Sequence, residues 1–405
     1  MRPIIPDYLA EALGDVEADT SGEQAGYIPE LARADPDVLA AAFVTVDGET
    51  YGAGGTRTAF TIQSVSKPFV YALALADRGF DAGLGRVGVE PSGEAFDEIS
   101  LESGTGRPLN PMINAGAITA HSLAGAEGLS PAARVERVIR GLSAFAGRRL
   151  TVDESVYASE REHAHRNLAI AHMLRSYEIL TTDAQATTDG YVRQCSVRVT
   201  TTDLAVMAAT LANRGKNPLS GEQVVPEPVV RQVLGVMFSC GMYDAAGDWA
   251  TQVGIPAKSG VAGAPSAHFP GRSASPRSRR DWIPTGTACA GCRCSHHVVG
   301  AGPNALRVLQ RQGGIGFAGA EKVLRECVDA PFPESRVALD LSWVHSLDDV
   351  ARRMLLEVVR RLMLDGHEVF LVDPDTIMPD PDPGDGGRVT VVTGADHAVV
   401  PPVAP

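Results

Sequence analysis

Two of the four lysines in the chain stand where an acyl-transfer serine enzyme would need them. Lys67 closes Ser64-Val65-Ser66-Lys67, and Lys258 opens Lys258-Ser259-Gly260. Arginine supplies nearly all the remaining positive charge, so composition does not explain these lysines. The chemical difference matters, because a buried ammonium can lose its proton near neutral pH and a guanidinium cannot. A lysine one helical turn after a serine can therefore serve as that serine's base.

These residues need elements that hold them. Phe60–Gln63 reads as a strand-like run delivering Ser64 to a helix start, and the helix is expected from Ser64 to Asp77, ended by Gly79. A serine at a helix N-terminus meets backbone N–H groups and a dipole that favour developing negative charge. Pro68 is tolerated there because first-turn N–H groups have no intrahelical partner. Upstream, Ala40–Val46, Asp47-Gly48 and Tyr51–Gly55 read as a strand, a tight turn and a second strand. Amphipathic helices are expected near 202–215 and 225–238, and Val253–Val261 reads as a buried strand bearing Lys258. The order Ser-x-x-Lys then Lys-Ser-Gly fits the penicillin-recognising serine enzymes.

Other positions have both a chemical and a plain reading. Asn110-Pro111-Met112-Ile113-Asn114-Ala115-Gly116-Ala117 sets two amides among small residues. An amide donates and accepts, which suits gripping another amide or an α-amino acid; the plainer reading is a turn before a packed helix. Ser159-Glu160 and Arg166-Asn167 bracket a helical stretch that could equally be a solvated face. Tyr191 and Tyr243 could be core aromatics whose hydroxyls find partners.

A chain of 405 residues has room for two or three domains. A net charge of −13 argues against a nucleic-acid surface, which needs clustered cations. No apolar run approaches the roughly 20 residues of a membrane span, and the opening residues lack a secretory pattern. Six cysteines in so long a chain, three of them crowded into 289–294, do not form a disulfide framework, so a cytoplasmic setting is expected.

From about 336 the texture changes. Val337–Leu341, Asp348–Asp365 and Val369–Val372 read as strand, helix and parallel strand, a βαβ unit. The helix repeats apolar residues at Val350, Met354, Leu355, Val358 and Leu362. Pro379–Gly387 cannot bury a core, and 379–405 is expected to be a flexible tail.

Several ordered blocks together resemble the serine-dependent glutaminases of bacterial type, which share the β-lactamase-like fold. The resemblance covers about 20–263. Its blocks are Tyr27–Ala32, Ile62–Lys67, Val87–Gly93, Gly106–Ala117, Gln194–Val197 and Lys258–Val261. It implies hydrolysis of L-glutamine to L-glutamate and ammonia through a glutamyl-serine intermediate, with no metal or coenzyme. Ser64 would be the nucleophile and Lys67 its base, with Tyr191 and Tyr243 beside the serine, one of them moving protons to the leaving ammonia. The backbone N–H groups of Ser64 and Val261 would form the oxyanion hole. Glu160 would meet the substrate's α-ammonium, with Gln63, Asn114 and Asn167 also binding substrate. His163-Ala164 departs from the Thr-Gly usual in the family.

A second resemblance, over about 305–375, is to STAS domains. It rests on Leu309-Gln310, Ile315–Glu321 and Val337–Ser342. It implies a regulatory or assembly module that binds a partner or small ligand. The matching helix start, Leu347-Asp348-Asp349-Val350, has no hydroxyl, so a phosphoserine switch is not expected.

The stretch between about Ala264 and Val299 reads as foreign. Cys289, Cys292, Cys294, His296 and His297 are zinc-ligand types, yet the glutaminase resemblance calls here for Ser-Pro-x-Leu-Asp-x-x-Gly-Asn-Ser-x-x-Gly. Reading each codon's third base with the next codon's first two turns Asp281-Trp282 into leucine and Trp282-Ile283 into aspartate. Later residues permit Pro-Asn-Gly-Asn-Ser-Val-Arg-Gly. A shifted reading frame, restored before Leu309, is the expectation.

The fold class expected is α/β (α+β). A β-lactamase-like domain at 1–303 has a mostly antiparallel sheet, flanking helices and a helical subdomain; a βαβ STAS-like domain follows at 304–378. A homo-oligomer, dimer or tetramer, is the expected assembly. Two competing functions are a penicillin-binding or β-lactamase-type hydrolase, and a catalytically impaired protein acting through its STAS module.

Overall fold

The computed structural model describes residues 4–18, 25–93, 100–261, 267–269, 293–299, 306–329, 333–384 and 389–393. The cysteine–histidine stretch and the proposed frame shift lie outside these residues, apart from the backbone of two short strands. The chain divides into two compact units, Pro6–Arg279 and Arg280–Pro405 with Met1–Ile5.

The larger unit takes α1 (Ile4–Glu17) from Pro6 onward and α2 (Pro29–Ala32), then β1 (Ala40–Val44) and β2 (Thr50–Gly54). The last two form the expected antiparallel hairpin around Asp47-Gly48, where Gly48 takes a φ of 100°. β3 (Phe60–Thr61) leads into a 3-10 turn, Gln63–Ser66, and then α3 (Lys67–Leu84). The helix therefore starts three residues later than expected, and Ser64 sits in the tighter turn before it. Gly79, at φ 78°, kinks α3 without ending it, because α3 resumes helical geometry to Leu84.

Next come α4 (Asn114–Leu123), α5 (Pro131–Ala146), β4 (Thr151–Val152), α6 (Glu154–His163), α7 (His165–Ser176), α8 (Ala184–Cys195), β5 (Val197–Val199) and α9 (Thr201–Ala212). α10 (Glu227–Cys240), the 3-10 turn Tyr243–Ala245, α11 (Ala246–Gln252), β6 (Lys258–Gly260) and β7 (Ala267–Phe269) complete it. β3, β5 and β4 make one antiparallel sheet and β6 and β7 another. The single sheet expected is thus three small antiparallel pieces among the described residues, and the buried strand expected from Val253 is confined to Lys258–Gly260.

α3 is the centre of the core. Every residue from Lys67 to Leu75 is buried, so this stretch is enclosed on all sides rather than along one stripe. Phe69 packs on Phe145 of α5 at 5.1 Å between ring centres, and Val233 and Met237 of α10 join the same cluster.

In the smaller unit, β8 (Arg293–Val299), β9 (Leu306–Ile315), α12 (Phe317–Asp329), β10 (Arg336–Leu347), α13 (Asp349–Leu364), β11 (Glu368–Val372) and β12 (Thr390–Val392) follow in order. The sheet runs β12-β11-β10-β9-β8, with β9, β10, β11 and β12 parallel and β8 antiparallel. Val350, Met354, Leu355, Val358 and Leu362 are buried, the face read from their spacing. Asp348 caps α13, its carboxylate accepting from the Ala351 N–H at 2.6 Å. Residues 390–392, expected in a flexible tail, instead pair with Phe370–Val372, since Val391-Val392 extends the apolar edge of β11.

Candidate active site

Ser64 is the one residue between Thr61 and Leu75 that is not buried, and Asn114 is the one between Asn110 and Gly125. Two enclosed segments thus each open at a single polar side chain. The openings converge through Lys67, whose Nζ donates to Asn114 Oδ1 at 2.7 Å, to the Met112 carbonyl at 3.1 Å and to Tyr243 Oη at 3.2 Å. Ser64 lies near enough to Tyr243 for its hydroxyl to help lower that tyrosine's pKa. The direct serine–lysine bond expected from the spacing is not among Lys67's bonds, because carbonyl oxygens of the Met112–Asn114 turn hold the amine. Tyr243 bridges the two.

Tyr243 is electrically unusual. Burial works to raise its hydroxyl's pKa, but the ammoniums of Lys258 and Lys67 outweigh it, with the nearby Ser64 hydroxyl adding a smaller effect; the result is about 7. Lys258 lies over the Tyr243 ring at 3.8 Å and donates to the Gly241 and Ser259 carbonyls at 3.1 and 2.7 Å. Burial lowers the Lys258 pKa to about 8, against the attraction of Tyr243. Gln63, the residue before Ser64, and Tyr243 both take left-handed backbone angles, with φ of 47° and 56°. Such angles are costly for residues other than glycine and concentrate at functional sites.

β6 packs tightly on the 3-10 turn carrying Ser64. A Cβ at Gly260 would come within 2.7 Å of Val65 Cγ2 and 3.4 Å of the Val65 nitrogen. Glycine there lets the strand before Val261 approach the nucleophile's backbone. Val261 itself is 40% exposed.

On the other side, Glu160 of α6 accepts from Tyr27 Oη at 2.8 Å and from Gln63 Nε2 at 3.1 Å. Burial raises its pKa, while these two bonds pull the other way. Asn114 Nδ2 donates to Asn167 Oδ1 at 3.1 Å, tying α4 to α7. Tyr191 is buried on α8, its hydroxyl's pKa raised well above the ordinary value by burial first and then by Cys195. His163-Ala164 forms the joint between α6 and α7, with His163 Nδ1 at 2.8 Å from the Ser159 carbonyl oxygen.

Most residues chosen from sequence fall into linked groups: Ser64, Lys67, Asn114, Asn167 and Tyr243 in one, and Gln63 and Glu160 in another that joins it through the Gln63–Ser64 backbone, while Tyr191, beside Cys195, and Val261 stand outside these links. Lys258, singled out with Lys67 from the sequence, joins them over the Tyr243 ring, and Tyr27, which lay in a quoted block with no role of its own, joins through Glu160. Their signal was present; their partners, far away in sequence, were not. Among the described residues no group of histidine, cysteine, aspartate and glutamate could hold a metal ion.

Residues 22–275 match the family model described as Glutaminase. A glutaminase of Corynebacterium efficiens is 45% identical over 404 residues, 95% of this chain and 96% of that protein. One from Corynebacterium glutamicum is 44% identical over 400 residues, 93% and 96% of the two chains. Among solved structures, Mglu in its native form superposes with a TM-score of 0.65 at 42% identity, over 93% of this chain and 100% of that one. A probable glutaminase, ybaS, gives 0.61 at 38% identity, over 64% and 83%. Likeness of this depth, running through the segments that carry Ser64, Lys67, Glu160 and Tyr243, means that the chain belongs to the glutaminase family.

Proposed function

We propose that this glutaminase hydrolyses L-glutamine to L-glutamate and ammonia through a glutamyl ester on Ser64. Ser64 Oγ attacks the side-chain amide carbon while its proton passes to Tyr243 Oη, which Lys67 and Lys258 hold ready as a phenolate. The backbone N–H groups of Ser64 and Val261 take the charge that develops on the amide oxygen. Tyr243 returns the proton to the leaving nitrogen as the C–N bond breaks. Water then adds to the ester, giving a proton to Tyr243 Oη, which returns it to Ser64 Oγ as the acyl–oxygen bond breaks and glutamate leaves. Glu160, gripped by Tyr27 and Gln63, meets the α-ammonium. Asn114 and Asn167 hold polar groups of the substrate, and Tyr191 lines the pocket.

The observation that carries this reading is the chain Ser64–Tyr243–Lys67, with Lys258 behind the ring. Purified protein should release ammonia from L-glutamine and form glutamyl hydroxamate with hydroxylamine, and Ser64→Ala should lose at least ~1000-fold in kcat. An unchanged Ser64→Ala variant would end the reading.

The smaller unit we read as a STAS-like regulatory or assembly module. Its support is the parallel β9, β10 and β11 joined through α12 and α13. A dimer or tetramer, and a cytoplasmic setting, complete the proposal; no helix among the described residues is long and apolar enough to cross a membrane. The shifted frame over 264–300 is supported by the family match stopping at 275, inside that stretch. Sequencing the coding DNA tests it.

A further inference from the structure

Behind the nucleophile lies a run of buried polar groups that the reaction above does not use. Ser66 Oγ donates to the Gln63 carbonyl at 2.7 Å. Gln194 Nε2 of α8 donates to Ser66 Oγ at 2.9 Å. His121 Nδ1 of α4 lies 3.0 Å from Gln194 Oε1. Ser66, Gln194 and His121 are each at most 1% exposed.

The direction of every proton in this run follows from its first member. A carbonyl oxygen can only accept, so the Ser66 hydrogen is committed to Gln63. Gln194 must then turn its NH2 toward Ser66, which leaves its oxygen facing His121. His121 therefore carries its hydrogen on Nδ1. Burial lowers the His121 pKa to about 4, so the neutral ring suits this role. Gly190, one turn before Gln194, leaves room for the ring: a Cβ there would stand 2.4 Å from His121 Nε2. The Cys195 thiol also contacts Ser66, and burial raises its pKa to about 12, so it stays protonated.

The run ends on Gln63, the residue with the left-handed φ that sets the direction of Ser64. It also links the three elements that bear the site: the 3-10 turn with Ser64, α4 with Asn114 and α8 with Tyr191. We infer that Ser66, Gln194 and His121 are positioning residues, a hydrogen-bonded strut that holds the Gln63–Ser64 turn in its strained form and so aims the serine hydroxyl. This rests on Ser64 being the nucleophile. Misplacing a reacting atom by about 1 Å costs on the order of 100-fold in rate.

The test uses the full chain carrying Ser66→Ala, Gln194→Leu, both together, or Gln194→Glu. Kinetics on L-glutamine are normalised to folded protein by circular dichroism. Both single variants should lower kcat by about 10- to 100-fold with KM within about twofold. The double variant should be no worse than the poorer single, since the members act as one unit. A glutamic acid at 194 is isosteric and, when protonated, can donate to Ser66 and accept from His121. The kcat of Gln194→Glu relative to the unaltered protein should therefore approach one at acid pH and fall as pH rises, while the ratio for Gln194→Leu stays low and flat. Unaltered kcat in both single variants, or a Gln194→Glu ratio that does not change with pH, overturns the strut. Neither result touches the nucleophile assignment, which only Ser64→Ala decides.

Discussion

Tyr243 has a hydroxyl that lies near Ser64, accepts a hydrogen bond from Lys67 and sits beneath the charge of Lys258. In the proposed mechanism the deprotonated form is the base, so kcat/KM should rise as pH increases through about 7, the value to which those charges lower it. It should fall again as Lys258 loses its proton through about 8. The two limbs belong to the pair jointly. Lys258→Met removes the charge over the ring, so the acid limb should move to higher pH; a pH–rate profile with an unmoved limb would count against the arrangement. Ser64 and Lys67 were legible because one helical turn of sequence relates them. Tyr243 drew attention only as an aromatic with two readings, because what makes it reactive is a lysine 15 residues later that folds back over it. A far longer separation hid Tyr27, whose partner Glu160 is 133 residues on.

Helices were the most readable elements, since apolar spacing and end signals reinforce one another. α9, α10 and α13 fall within a few residues of expectation. The start of α3 was misread because the 3-10 turn before it has helix-like composition, and only the left-handed Gln63 breaks the pattern. Strand lengths were overestimated where burial comes from helices rather than from a partner strand. At this scale α9 offers a test. Asp203 completes a capping box with Thr200 and receives two bonds of 2.5 Å from Arg148, while being nearly buried. Asp203→Ala should destabilise the larger unit by about 2–3 kcal/mol, read from denaturant melts. His121, on α4, gives a second. Its pKa falls from an ordinary 6.5 to about 4 on folding, so between those values the unfolded chain binds the extra proton. Stability should be intact above about 6.5 and drop as pH falls toward 4, by on the order of 3 kcal/mol. His121→Asn should flatten that part of a melting-temperature profile.

For the whole molecule, the change in texture near 336 and the second resemblance from about 305 put a domain boundary at 303/304. The compact units divide at Arg279, inside the atypical stretch. A shifted frame would explain why β6 has only β7 beside it among the described residues. A frame-corrected chain should therefore melt at higher temperature, by several degrees, and turn over faster per folded molecule. Equal melting and turnover would count against the shift. One feature of the larger unit reaches further than its chemistry. Because the neighbours of Ser64 from Thr61 to Leu75 are packed away, altering the apolar ones disturbs folding before it disturbs reactivity. Ser64, the one open position, can be silenced with the scaffold left standing. A serine-to-alanine version would then be a receptor that captures free glutamine and lets it go unchanged, a starting point for a sensor of that amino acid.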